Sequence, residues 1–203
     1  MDIKNVLTNL TKRGFKPFYF ENRNEAIDLI LSLIPQNASV GSGGSMTIKE
    51  LGVLNMLHER GNKVYTHSFS TSEEEREKIY QLAGAADWYL SSTNALSEDG
   101  DFVNIDGTAN RIAALAFGVK NIIYVLGANK IASDLTSAID RARNVAAPPN
   151  ARRFNKNTPC TTSGQCCLCD SDDCICNATL ISHHPTRLQE NVYVIIIDET
   201  LGY

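Results

Sequence analysis

Val40-Gly-Ser-Gly-Gly-Ser-Met-Thr-Ile-Lys-Glu50 joins the end of a short apolar run to three glycines and then to the start of a helix. Strand, glycine loop and helix start in that order form a βα unit, with bare backbone N–H groups facing outward at the junction. The helix macrodipole adds partial positive charge there and favours phosphate or carboxylate. Glycine tolerates positive φ and lets a ligand come close to the backbone. Gly41, Gly43, Gly44, Ser45, Met46 and Thr47 are therefore candidate ligand contacts. A plain tight turn into a helix would also favour glycine. Ser45 or Thr47 can cap the helix, and Thr47-x-x-Glu50 fits a capping box. The pattern is neither G-x-G-x-x-G nor G-x-x-x-x-G-K-[ST], so neither a dinucleotide nor ATP is indicated.

The same alternation extends outward. Val6, Leu7 and Leu10 mark a first helix that stops near Gly14, and Phe18-Tyr-Phe20 a brief strand. Asn24 is placed to cap a helix whose buried stripe is Ile27, Ile30, Leu31 and Ile34, with Pro35 beyond its end. After the glycine loop, Ile48, Leu51, Leu54 and Leu57 predict one helix that closes at Gly61. Residues 63–67 read as a strand, Ser72-x-x-Glu75 as a capping box opening a helix through about Leu82, and 87–90 as a strand. Glu98-Asp-Gly100 is a turn signal within 94–106, which reads as a hairpin. Thr108 is expected to cap a helix ended by Gly118. Asn121-Ile-Ile-Tyr-Val-Leu126 and Val192-Tyr-Val-Ile-Ile-Ile197 are continuous apolar runs, as buried parallel strands require. Asp134 caps a helix with Leu135, Ala138, Ile139, Ala142 and Val145 on one face, and Pro148-Pro149 is expected to stop it. Residues 150–173 show no periodicity.

Strands alternating with helices predict an α/β fold, an open and mostly parallel Rossmann-like sheet flanked by helices, with a small hairpin and a Cys-rich loop. The 203 residues suit one domain, 1–203, whose Cys-rich segment covers 158–177. Ligands of such sheets bind at the carboxyl ends of strands, where the glycine loop and Gly127-Ala-Asn-Lys130 both fall. A net charge of −4 with no basic stripe argues against nucleic acid. No apolar run reaches the ~20 residues of a membrane span. The N-terminal residues lack a signal-peptide pattern, so the expected location is cytoplasmic. The sequence leaves homo-oligomer formation open.

Two further groups carry chemistry. Cys160, Cys166, Cys167, Cys169, Cys174 and Cys176 fall within one short segment. Cys166-x-x-Cys169 has ligand-pair spacing, and Cys160 and Cys176 flank it. Four thiolates would suit zinc or an iron–sulfur cluster; reduced thiols in a loop, or a disulfide, are the alternatives. Between Ser91 and Arg111 lies a dense polar set that includes Asn94, Glu98, Gly107, Thr108, Asn110 and Arg111. Arg111 falls in the first turn of its helix, where the dipole disfavours a cation unless an anion intervenes. That anion is either a ligand or Asp106. Lys130, beside Asn129, could supply a second cation or sit at the surface. Glu98 could act as base or nucleophile, or simply shape its turn.

Taken together, VGSGGSMTIKELGVL (40–54), the segment 91–131, NVAAPPNARR (144–153), TPCTTSGQCCLC (158–169), ICNATLI (175–181) and DETLGY (198–203) resemble the lactate-utilisation (LUD) domain family over nearly the whole chain. The resemblance implies a fold like that of ribose-5-phosphate isomerases and CoA transferases. It implies work in lactate oxidation beside iron–sulfur oxidoreductase subunits. It also implies that Cys160, Cys166, Cys169 and Cys176 belong to the family pattern, with Cys167 and Cys174 as extras. EDGDFVNIDGT (98–108) is similar to a stretch of the methylthioribose-1-phosphate isomerase group, which implies a small anionic metabolite as ligand, a sugar phosphate included. Glu98-Asp-Gly100 echoes the Glu-x-Gly setting of CoA transferases. Three functions are thus open: an accessory protein or subunit of lactate (2-hydroxy acid) utilisation, an independent isomerase or transferase acting on a phosphorylated metabolite, and a regulatory binding module without chemistry.

Overall fold

The computed structural model describes residues 2–69 and 72–203. Among the described residues, ten strands and the helices between them follow the order α1 (Ile3–Lys12), β1 (Lys16–Phe20), α2 (Arg23–Leu33), β2 (Ser39–Ser42), α3 (Met46–Leu51), α4 (Val53–Glu59), β3 (Lys63–Thr66), α5 (Glu73–Gly84), β4 (Trp88–Ser91), β5 (Ala95–Ser97), β6 (Phe102–Asp106), α6 (Asn110–Ala116), β7 (Asn121–Gly127), β8 (Ile131–Ala132), α7 (Leu135–Arg141), α8 (Ala147–Arg153), α9 (Pro159–Ser163), β9 (Ala178–Ser182) and β10 (Asn191–Ile197). Six strands form an open sheet in the order β1-β10-β7-β4-β2-β3, and every pairing in it is parallel. This is the expected α/β architecture. Among the described residues no helix is long and apolar enough to cross a membrane.

The continuous apolar runs follow from burial on both faces. Along β7, Ile123 and Val125 pack with Ile27, Ile30, Ile48 and Leu57 from α2, α3 and α4. The alternate residues Ile122, Tyr124 and Leu126 pack on the other face with Val6, Leu10 and Leu115 from α1 and α6. The hairpin β5–β6 is present, but as part of a second sheet in the order β8-β5-β6-β9. The sequence offered no signal for β9. Its residues are only partly buried, so no apolar alternation marks it.

Several boundaries differ from expectation. Asn22, not Asn24, caps α2, accepting from the amides of Asn24 and Glu25. The helix expected over 45–61 is two helices, broken where Gly52 takes φ +67°. Ser45 caps the first of them, and the Thr47/Glu50 capping box does not form. The Thr47 hydroxyl bonds the Leu201 carbonyl, and a Glu50 carboxylate oxygen accepts from the Gly202 amide. Thr108 does not cap α6; Asp106 accepts from the Ile112 amide instead. Pro148 and Pro149 do not end a helix. They lie in the first turn of α8, directly after a widened π turn at Ala142–Ala146. Two ring nitrogens cannot donate to the carbonyls a turn earlier, and a wider turn relieves the clash.

Candidate functional site

The parallel strands all end on one side of the sheet. The chain leaves β2 toward β3 and leaves β4 toward β7, in opposite directions, so β2 and β4 flank a topological switch point. A cleft of about 500 Å³ opens there. Gly44, Ser45 and Met46 after β2, His67 after β3, Ser92, Thr93 and Asn94 after β4, and Lys130 after β7 line its sheet side. Gly107, Thr108, Asn110 and Arg111 from the β6–α6 junction form a second wall. Arg76 and Tyr80 of α5 and Asn150 and Arg153 of α8 also face the cleft, as do Asp106, Lys156 and Tyr203.

Of the residues singled out in the sequence, Gly44, Ser45, Met46, Asn94, Gly107, Thr108, Asn110, Arg111 and Lys130 meet at this cleft. Gly41, Gly43, Thr47 and Asn129 are not among the residues that line it. None of Gly41, Gly43 or Gly44 has positive φ; what they provide is close approach. A Cβ on Gly41 would stand 2.1 Å from the Ala83 carbonyl oxygen, so this glycine lets α5 lie against β2. A Cβ on Gly44 would stand 2.9 Å from the His67 ring. Thr47 is fully buried and takes a hydrogen bond from Lys130. The Asn129 side chain accepts from the Leu201 amide. Glu98 lies at the hairpin turn, where its carbonyl accepts from Asn9 of α1, and it lines neither this cleft nor the cysteine cavity described below.

The cleft is rich in cations. Arg111 is neutralised by Asp106, with Nε at 2.9 Å from Oδ1, and its Nη2 also reaches the Asn94 Oδ1 at 2.8 Å and the Ile105 carbonyl at 2.9 Å. The anion that makes Arg111 tolerable at a helix start is therefore the protein's own. Arg153 donates to the Asn150 amide oxygen, at 2.8 and 3.2 Å, and to the Met46 sulfur at 3.5 Å, lies over the Phe154 ring at 4.3 Å, and has a favourable negative charge at Tyr203 beside it. Among the described residues neither Arg76 nor Arg153 is in a salt bridge. Lys130, 4% exposed, donates to the Thr47 and Ser92 hydroxyls at 2.9 and 3.1 Å and to the Thr93 carbonyl at 3.2 Å. Burial, with the charges of Arg141 and Arg111 adding, brings its pKa down to about 7. Burial and the neighbouring Arg76 and Arg153 also lower His67. Arg76, Arg153 and His67 were not among the sequence candidates. They sit on separate elements far apart in the chain, although NVAAPPNARR (144–153), ending in Arg153, already stood out as a segment.

All six cysteines line a second cavity of about 170 Å³, together with Ala147 and Ala151 of α8, Arg143, Thr158, Ile175 and the exposed Leu168. Ile175 also lines the cleft, so the two cavities share a wall. The Leu168 amide donates to the Cys166 sulfur at 3.5 Å and the Cys176 amide to the Cys174 sulfur at 3.4 Å. No two of these cysteines are joined in a disulfide. Burial, with Cys174, Cys166 and Cys160 adding, pushes the Cys176 thiol up to about 12. Among the described residues no three His, Cys, Asp or Glu side chains are arranged to hold a single metal ion.

A family model described as the LUD domain matches residues 3–197. No curated protein matches the sequence. Among solved structures, the chain is similar to a DUF162 family protein from Deinococcus radiodurans, with a TM-score of 0.54 at 12% identity, covering 96% of this chain and 95% of that one. It is also similar in part to ribose 5-phosphate isomerase A from Neisseria gonorrhoeae, with a TM-score of 0.37 at 14% identity over 56% of this chain and 54% of that one. A third partial likeness is to eIF2B delta from Chaetomium thermophilum, with a TM-score of 0.35 at 17% identity over 54% and 48%.

Proposed function

The chain belongs to the LUD domain family, and on that premise we propose that it serves the utilisation of lactate or another 2-hydroxy acid by binding a small anion in the cleft at the strand ends. Iron–sulfur oxidoreductase subunits would be its partners in that role. The observation that carries the reading is the pair of guanidinium groups, Arg76 and Arg153, that face the cleft and are in no salt bridge among the described residues, with Lys130 at the wall and Arg111 already neutralised by Asp106. Two guanidinium groups facing one cleft favour an anion, and guanidinium groups suit carboxylate or phosphate oxygens in pairs.

Thermal melts with lactate, pyruvate, inorganic phosphate and ribose 5-phosphate at millimolar concentration test it. At least one anion is expected to raise the melting temperature, with a shift that shrinks as salt rises. A charge-assisted hydrogen bond contributes about 1.5–3 kcal/mol, so Arg153→Gln should weaken binding on the order of ten- to a hundredfold. No shift with any of these anions would overturn the reading.

Lys130 supports a second reading, an isomerase or transferase acting on a phosphorylated metabolite. An amine with a pKa near 7 at a cleft wall is matched to general base chemistry at neutral pH. Turnover of a sugar phosphate by the purified chain, abolished by Lys130→Met, would favour this reading; binding without turnover would leave the first.

A further inference from the structure

We propose that the cysteine cavity is the seat of a 4Fe–4S cluster held by Cys160, Cys166, Cys169 and Cys176, separated from the anion cleft by Ile175. This site is distinct from the cleft and does not depend on the reading of it. The thiols surround a space rather than converge on a point. Zinc takes its four ligands at about 2.3 Å around one centre and fills the room of a single atom. The cavity of about 170 Å³ instead has room for a cluster of atoms, since one water-sized atom takes roughly 10–15 Å³ of such space.

The surroundings suit a cluster. Ala147, Ala151, Leu168 and Ile175 give it apolar walls, and Arg143 brings one cation to a group whose four thiolates leave it net negative. The Leu168 amide donates to the Cys166 sulfur, the kind of bond that tunes cluster sulfurs, and Leu168 adopts φ +54° to place it there. The Thr158 hydroxyl lies 3.2 Å from the Cys160 sulfur, and the Cys166 amide is anchored on the Asn144 side chain. The segment thus hangs from the π turn through Asn144, and Cys166-x-x-Cys169 presents two sulfurs from one short loop. Cys167, between them, is exposed.

The test is anaerobic purification of the full chain, reconstitution with iron and sulfide, and metal, sulfide and spectroscopic analysis. The expected result is about four iron and four sulfide per chain, with visible absorption bleached by dithionite and a paramagnetic signal in the reduced form. Cys160→Ser, Cys166→Ser, Cys169→Ser and Cys176→Ser should each lose most of the iron. Cys167→Ser and Cys174→Ser should keep it. Circular dichroism identifies any variant that fails to fold, and for such a variant the remaining single replacements decide. Tightly bound zinc at one per chain, or no iron after reconstitution of folded protein, would overturn the proposal. Loss of iron in Cys174→Ser with retention in Cys169→Ser would overturn this ligand set.

Discussion

Lys130 shows how one residue can link charge, burial and binding. Its ammonium sits among two hydroxyls and a carbonyl with no carboxylate bonded to it, and burial lowers its pKa from the ordinary 10.5 to about 7. Between these values the unfolded chain carries a proton that the folded chain has released. Stability from this group therefore rises with pH across that window, and the burden of the buried charge is greatest below pH 7. An anion in the cleft would reverse this shift by favouring the charged form. Binding should then take up a proton near pH 8, and affinity should fall as pH climbs above 7. Calorimetry in two buffers of different ionisation heat measures the uptake. Binding that is independent of buffer at pH 8, or uptake that persists in Lys130→Met, would mean that Lys130 does not respond to the ligand.

At the scale of elements, Gly41 decides how α5 meets the sheet. Its missing side chain leaves room for the Ala83 carbonyl at the end of α5, and an added Cβ at 2.1 Å from that oxygen forces helix and strand apart. Gly41→Ala should cost about 1–3 kcal/mol of stability, the usual range for overpacking, and should move Arg76 and Tyr80, which α5 carries into the cleft. Urea denaturation gives the first effect, and weakened anion binding the second. A variant as stable as the parent would show that the packing relaxes freely. The glycine stretch was thus legible in the sequence as a βα junction, but not in its reason. Two of the three glycines make room for side chains or helix backbone, and none turns the chain through positive φ. The long apolar runs at β7 and β10 were equally legible, because burial on both faces removes alternation. Caps were less so: where Asn22 and Asn24, or Ser45 and Thr47, stand two residues apart, either could begin the helix, and tertiary contacts to Leu201 and Lys130 take Thr47 away. The prolines at 148 and 149 misled because a π turn lets a helix continue past them. Arg111 and Lys130 were legible as candidate cations, but Arg76 and Arg153 were not, since they become neighbours only when α5 and α8 are placed over the same strand ends.

Over the whole molecule the two sheets must be held together, and Asp101 is central to that. Its carboxylate, at the start of β6, meets Arg13 at the end of α1 and, at 2.6 Å, His183 just past β9, while the Ser97 hydroxyl donates at 3.0 Å from β5. One side chain thus ties a helix packed on the parallel sheet to three strands of the second sheet. Burial alone would raise its pKa, but the hydrogen bonds from His183, Arg13 and Ser97 outweigh it and hold the group below the ordinary carboxylate value. A depressed carboxyl pKa stabilises the fold above the unfolded value of about 3.9, and that stability drains away as pH falls through the lower folded value. Hydrogen bonds to charged groups contribute about 1.5–3 kcal/mol, and Arg13 keeps 22% of its side-chain surface exposed, so Asp101→Asn should lose about 2 kcal/mol at pH 7. The gap between parent and variant should narrow below pH 4, because protonation removes from the parent the charge that the variant never had. Urea midpoints at pH 7 and at pH 3 measure both quantities. A gap that stays constant across that range would place the stabilisation in packing at Asp101 rather than in its charge.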